Sequence, residues 1–308
     1  MIYDLVIIGG GPAGLSAALT ACYLRLKHIV LEAGQAGGAL AYIYPWKEVD
    51  SYLGFHGMNG LEVADKMIEH VKKEGSQIKE KERVVNIKTS MKDRVFTVVT
   101  EKKSYKTKTI LFAPGVSGTP RKLGIPGEEN PNICYSIDEP KSYRGKRVLV
   151  IGGGDSALEI ALVLEKNGAE VYLAHRRERF RAMEKTQEMV RRSRIKILFN
   201  TELKEVFGKE SIEKVKVINN VTNEETMLKV DNVVICIGFV LDLDFIKRIG
   251  VRIEGNRIPV DEEMRTNIEG VYAAGDITGR LNRLPEAIGE GHFAVYSIFK
   301  YLKKPYWA

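Results

Sequence analysis

Gly9, Gly11 and Gly14 stand between an apolar run, residues 5–8, and a helix-period stripe of Leu15, Ala18, Leu19 and Cys22. An unbroken apolar strand belongs in a sheet covered on both faces, and i, i+3, i+4, i+7 spacing belongs to a packed helix. Turning from one into the other within a few residues restricts the backbone severely. The first glycine permits the turn, the second leaves bare backbone for a pyrophosphate, and the third lets helix pack close on strand. The next strand, "HIVLE", ends in Glu32, placed to accept hydrogen bonds from an adenosine ribose. The stripe makes Cys22 a core residue rather than a redox one.

The plan returns 143 residues later (9 to 152) in "RVLVIGGGDSALEIALVLEKNGAEVYLAHRRERFR". Gly152, Gly154 and Ala157 take the three special positions, with Gly153, Asp155 and Ser156 between them; alanine is tolerated at the third. Leu158, Ala161, Leu162 and Leu164 fit a packed helix, which Gly168 ends. The acid of the first copy falls 18 residues after Gly14 (14 to 32); the same step from Ala157 lands on His175, followed by Arg176, Arg177 and Arg181. A carboxylate there would repel a 2′-phosphate, whereas guanidinium groups bind it. At about 1.5–3 kcal/mol per charged hydrogen bond, two contacts favour NADP(H) over NAD(H) by ~100-fold or more. A solvated basic face, or a nucleic-acid patch with Arg191, Arg192 and Arg194, leaves unexplained why arginine follows the ribose position so closely. One acid-ended and one arginine-ended unit in a single chain imply FAD plus NADPH, with hydride passing between them.

Composition sets the bounds. The 308 residues, 44% of them hydrophobic, suffice for one large or two medium domains. The net charge of +7 favours acidic partners by long-range attraction. Residues 5–24 carry no charge and are long enough to cross a membrane, but Gly9, Gly10, Gly11 and Pro12 break the stretch into strand, turn and helix. Neither membrane nor nucleic acid is expected as a partner. Cys22, Cys134 and Cys236 lie far apart without disulfide-framework or metal spacing, which suits a reducing cytoplasm. Five scattered histidines offer no metal site.

"GGGPAGLSAAL", "ILFAPGVSGTPRKLGIPGEE", "VIGGGDSALE", "HRRERFRA", "VVICIGF" and "GVYAAGDIT" occur in that order. Over nearly its whole length the chain thereby resembles the thioredoxin-reductase-like flavoproteins. The resemblance implies an α/β fold of two Rossmann-like dinucleotide-binding domains. A NAD(P)H domain, 116–239, is inserted into an FAD domain of 1–115 and 240–308, with crossovers near 114–116 and 238–240. It places FAD against Gly9, Gly11, Pro12, Ala13, Gly14, Glu32, Ala33, Gly38, Leu40, Tyr44, Val84, Ala113, Pro114, Gly115, Gly275, Asp276, Glu286 and Ala287. It places NADPH against Gly152, Gly153, Gly154, Asp155, Ser156, Ala157, His175, Arg176, Arg177, Arg181, Ile237 and Gly238. Asp276 would bind a ribityl hydroxyl. The helix starting near Pro285 would turn its N-terminal N–H groups to the flavin. Glu286 and Glu290 are within reach of the flavin, although position alone favours the helix surface.

The chain departs from thioredoxin reductase where disulfide chemistry would occur. Thiol exchange needs one thiolate to attack and a second to resolve, and Cys134-Tyr135-Ser136-Ile137 supplies one thiol. The alternative disulfide position, "GQAGGALAYIYPWKEVD", has no cysteine, and Cys236 sits in an apolar strand. "GGALAYIYP", "GGGDSALE", "HRRERFRAME" and "IGEG" resemble the ferredoxin–NADP reductases of the thioredoxin-reductase type, which lack the redox disulfide. This implies hydride transfer from NADPH to FAD and single electrons passed to ferredoxin or a similar acidic carrier, in a homodimer. Tyr44 would stack on the isoalloxazine, and no side chain is needed as acid, base or nucleophile. The ending "KYLKKPYWA" leaves the other flavin face to Tyr306 or Trp307 of a partner subunit. The alternatives are a disulfide reductase using Cys134 with an external thiol, an NAD(P)H oxidase or quinone reductase, and an FAD- and NADP-binding redox sensor.

Among the connecting segments, residues 81–115 alternate as a hairpin or three-stranded meander. "GLEVADKMIEHVKKEG" is an amphipathic helix with Leu61, Ala64, Ile68 and Val71 inward, and "GHFAVYSIFKYL" is the last helix, packing under FAD or across a dimer seam.

Overall fold

The computed structural model describes residues 1–90, 95–116, 118–240 and 243–306. It divides into two compact units, Met1–Gly118 with Val240–Ala308, and Thr119–Phe239. The outgoing crossover falls three residues beyond position 115. Gly115 and Gly238 adopt φ of +64° and +94°, a left-handed backbone that glycine reaches without strain.

In the first unit β1 (Ile2–Ile8) is followed by α1 (Pro12–Tyr23), β2 (His28–Leu31), a short α2 (Ala39–Tyr42), α3 (Gly60–Lys73) and β3 (Ile78–Lys79). Next come β4 (Val84–Ser90), β5 (Val95–Thr100) and β6 (Ser104–Phe112). The strands join in the order β3-β2-β1-β6-β5-β4. β1 runs parallel to β2 and β6, and β4, β5 and β6 form the antiparallel meander. The expected meander is thus continuous with the parallel sheet; its residues 91–94 lie outside the described residues. Strand alternation sends Leu5 and Ile7 to one core and Val6 and Ile8 to the other. The uncharged N-terminal stretch is β1, a turn and α1, and no helix of the described residues is long and apolar enough to cross a membrane.

α3 begins in a reciprocal capping box, Asn59 Oδ1 accepting from Glu62 N at 3.0 Å and Glu62 Oε2 from Asn59 N at 2.8 Å. Its inner face is rotated from the expected one. Leu61 in the first turn is 44% exposed, while Val63, Ala64 and Val71 are buried and Ile68 is half-buried.

The second unit opens with β7 (Thr119–Pro120), β8 (Ile133–Cys134), β9 (Arg147–Ile151), α4 (Asp155–Lys166), β10 (Glu170–His175), α5 (Glu184–Arg191) and β11 (Lys196–Phe199). It continues through β12 (Thr201–Phe207), β13 (Lys214–Asn219), β14 (Glu225–Leu228) and β15 (Asn232–Ile235), and ends at Phe239, the first residue of the two-residue β16 (Phe239–Val240). A parallel sheet of order β11-β10-β9-β15-β8 carries the nucleotide-type βαβ unit, beside an antiparallel β12-β13-β14 sheet. In α4, Leu158, Ala161 and Leu164 are fully buried and Leu162 is half-buried.

Back in the first unit, α6 (Asp244–Lys247) and β17 (Val271–Ala273) precede the final helix α7 (Leu284–Lys303). β17 runs parallel to β6. α7 buries Ala294, Val295 and Ile298 in the core shared with α1 and leaves Phe293 48% exposed. The two helices cross closely at Gly291, where an added Cβ would lie 2.1 Å from Ala13 O. The inner face of the last helix therefore packs on α1.

Candidate functional site

The β1–α1 turn requires its glycines. Gly9 has φ of +110°, and a Cβ there would lie 2.2 Å from Ala113 O; one on Gly14 would lie 1.9 Å from Gly9 O. Above this turn is a cavity of about 510 Å³, within the range of small-molecule sites. Its walls include Gly11, Pro12, Ala13, Glu32, Gly38, Leu40, Tyr44, Ala113, Pro114, Gly115, Gly275, Asp276 and Ala287, as expected. Gly9 and Gly14 shape the turn without lining the cavity. Ala33 is exposed, Val84 is buried in the sheet core, and Glu286 lies half-buried on the first turn of α7; none of the three lines the cavity.

The Glu32 carboxylate is held by backbone, Oε2 accepting from Gly10 N and Oε1 from Gly34 N, each at 2.7 Å. A carboxylate has about four acceptor sites, so the two that remain serve the cavity. Asp276 differs. Burial pushes its pKa up, and its carboxylate has no side-chain hydrogen bond among the described residues. Half-buried on the cavity wall, the carboxylate keeps its acceptor sites open to a hydroxyl-bearing ligand. The residues present therefore fit FAD. Pro285 occupies the first turn of the 20-residue α7, whose N-terminus favours negative charge.

Three features of this site were not anticipated. Lys47, Asp50 and Ser51 on one loop, and Asn282 and Arg283 before α7, also line the cavity; they belong to no motif and arrive through the path of the loops. Lys47 Nζ lies 5.5 Å from the Tyr44 ring centroid. Glu290 is not a helix-surface residue. It is 6% exposed and accepts from Gly275 N at 2.7 Å and Thr278 Oγ1 at 3.1 Å. Near the chain end, Tyr306 is fully exposed, and Trp307 lies outside the described residues.

The second cradle repeats the first with one substitution of role. Gly152 takes φ of +154°, and a Cβ there would lie 2.5 Å from Cys236 O. His175, at the ribose-type position, is buried, with its ring against Gly153, where a Cβ would lie 2.2 Å from a ring carbon. Its Nε2 is 3.0 Å from Arg179 O, and burial, with the neighbouring arginines, lowers its pKa. His175 thus supports the glycine loop from beneath. The following loop closes on the cradle through Arg181 N to Gly153 O at 2.7 Å and Met183 N to Asp155 Oδ1 at 2.9 Å. Ile237 is half-buried and Gly238 exposed.

The seven arginines of residues 176–194, all exposed, separate into two groups. Arg179, Arg191, Arg192 and Arg194 pair with Glu178, Glu184, Glu188 and Glu165. Arg176, Arg177 and Arg181 form no salt bridge among the described residues. Within this stretch, the guanidinium groups expected to meet a 2′-phosphate are the ones outside salt bridges.

The thiols are poorly placed for exchange. Burial raises the Cys134 pKa, its Sγ lying 3.5 Å from Tyr143 Oη. Ile137, where a second thiol would stand, is buried. Burial pushes Cys236 up to about 12. Thiolates, not thiols, attack. No group of three or more metal-ligating side chains occurs among the described residues.

Two nucleotide cradles on Rossmann-like sheets define the class: an oxidoreductase of the thioredoxin-reductase-like fold that uses FAD and a pyridine nucleotide. The chain belongs to the pyridine nucleotide-disulphide oxidoreductase family, whose model matches residues 3–291. It is similar to the ferredoxin–NADP reductase of Ignicoccus hospitalis, 38% identical over 305 residues and 99% of each chain. It is also 38% identical to that of Sulfurisphaera tokodaii over 312 residues, covering 97% of this chain and 93% of that one. Among solved structures, thioredoxin reductase of Lactococcus lactis in its FR conformation superposes with a TM-score of 0.89 at 32% identity, covering 98% of this chain and 100% of that one. That of T. acidophilum superposes with a TM-score of 0.88 at 29% identity, covering 97% and 98%.

Proposed function

We propose that this chain moves electrons between NADPH and ferredoxin, or a similar acidic one-electron carrier, through FAD in the first-unit cavity. The observation that carries the reading is a cavity with an unpartnered Asp276 and no cysteine in its lining. Electrons leaving such a site need an external acceptor. The curated relatives named ferredoxin–NADP reductase support the identity of that acceptor.

FAD, when bound, supplies the exchange between a two-electron donor and a one-electron acceptor. The side chains bind and orient. Gly11, Pro12 and Ala13 leave room for a pyrophosphate beside the α1 N-terminus. Glu32 accepts from an adenosine ribose, Asp276 accepts from a ribityl hydroxyl, and Tyr44 supplies a flat wall. In the second unit, the 152–157 turn receives the NADPH pyrophosphate, and Arg176, Arg177 and Arg181 hold the 2′-phosphate. The net charge of +7 steers an acidic carrier into fast, salt-sensitive encounters. The three free cysteines suit a reducing cytoplasm.

Anaerobic stopped-flow absorbance tests the proposal. NADPH bleaches the flavin and oxidised ferredoxin restores it, with the same rates in Cys134→Ala. Recovery only with a disulfide substrate, and its loss in Cys134→Ala, contradicts the reading. Recovery with oxygen or quinone but not ferredoxin makes the chain an oxidase or quinone reductase.

A further inference from the structure

We propose that Glu290 is a positioning residue: it clamps both ends of the 275–278 turn so that Asp276, between them, presents its carboxylate to the flavin cavity. The inference rests on the flavin reading of that cavity. Glu290 projects from α7 into the protein and is 6% exposed. Its Oε2 accepts from Gly275 N at 2.7 Å, and its two oxygens lie 3.2 and 3.1 Å from Thr278 Oγ1. Arg280 Nε stands 3.8 Å from Oε1.

The turn itself is tightly specified. Gly275 has φ of +81°, and a Cβ there would meet Ala13 Cβ at 2.9 Å. Its floor is therefore the start of α1, and its ends are tied to α7 through one carboxylate. Asp276 is the acid of this turn without a side-chain partner among the described residues. Helix packing gives no reason for an acid at 290, because the neighbouring inward positions 287 and 294 are alanines. A buried carboxylate is costly unless donors surround it. Here the donors are the two ends of the turn.

Flavin is stripped from the purified chain, and FAD rebinding is followed by quenching of flavin fluorescence in wild type, Glu290→Gln, Glu290→Leu, Asp276→Ala and the Glu290→Leu/Asp276→Ala double variant. Glutamine keeps an acceptor for Gly275 N and a donor for Thr278, so its dissociation constant stays within about threefold of wild type. Leucine keeps the bulk and loses the acceptor, and weakens FAD binding by about tenfold or more, the scale of a lost charged hydrogen bond. Once Asp276 is alanine, the leucine change costs nothing further. Should Glu290→Leu fail to fold, Thr278→Val in both backgrounds makes the same comparison with a smaller loss. Wild-type affinity in Glu290→Leu, or an equal loss with and without Asp276, overturns the proposal. A wild-type chain that takes up no FAD overturns the cavity reading beneath it, a distinct result.

Discussion

The two cradles begin alike and end differently. Gly9 N donates to Leu31 O at 2.9 Å and Gly152 N to Ala174 O at 3.0 Å, the same bond in the same register. In both, the first glycine presses on backbone across the sheet, Ala113 O in one and Cys236 O in the other. The contrast starts at the end of each second strand, at Glu32 just past β2 and at His175, the last residue of β10. In the first unit Glu32 reaches back and binds Gly10 N and Gly34 N. In the second, a histidine ring fills the space under Gly153, and the chain returns to bond Gly153 O through Arg181 N. A glutamate side chain closes one cradle; a buried histidine ring and a loop with arginines outside salt bridges close the other. On the proposed reading, one backbone device serves two nucleotides, and the residues at and just past the end of the second strand choose between them.

The largest expected effect separates the third fingerprint positions. Gly14→Val forces a side chain into Gly9 O, and destabilises the first unit by more than about 4 kcal/mol; FAD content and thermal unfolding report it. Ala157→Gly, its counterpart, costs about 1 kcal/mol or less as a helix-propensity change and leaves NADPH binding intact. Next, Arg176→Ala with Arg177→Ala removes ~100-fold of the preference for NADPH over NADH. The loss appears in the KM for NADPH, with NADH kinetics unmoved. Glu32→Ala weakens FAD binding by about tenfold without changing the KM for NADPH. Equal effects of the arginine and Glu32 changes on both ligands would erase the distinction between the cradles.

The smallest effect depends on pH. Burial raises the pKa of Glu290, opposed by Gly275 N, Thr278 and Arg280, with Glu286 adding to the rise. A carboxyl whose folded pKa lies above its unfolded value contributes stability below the unfolded value, and that contribution is lost as pH rises through the folded one. Flavin-free Glu290→Gln should therefore gain on wild type between mildly acid and neutral pH, by about 2–4 °C in Tm per kcal/mol. Melting curves at the two pH values measure the gain.

How much of this was legible in sequence follows from how local each constraint is. Gly14 is fixed by Gly9 O within the same turn, and Gly9 and Gly152 take the positive φ of that turn, so their spacing declares them, although the backbone that crowds Gly9 and Gly152 comes from other strands. Arg176 and Arg177 follow the strand whose end they mark. Glu290 stayed hidden because its partners, Gly275 and Thr278, become neighbours only when α7 packs on α1. Helical position alone placed it at the surface, whereas the turn drew it inward. Asn282 and Arg283 reach the cavity along a loop whose path no periodicity encodes. The outward turn of Leu61 follows from a face centred on Val63 and Val71, one step from the stripe that counting selects.

The most direct measurement is the anaerobic rate of flavin bleaching by NADPH and by NADH, in wild type and in Arg176→Ala/Arg177→Ala. The account predicts a flavin-bearing protein bleached rapidly by NADPH, slowly by NADH, and at similar low efficiency by both once the arginines are gone. A protein that carries no flavin, or that NADPH and NADH bleach equally before any substitution, would contradict it.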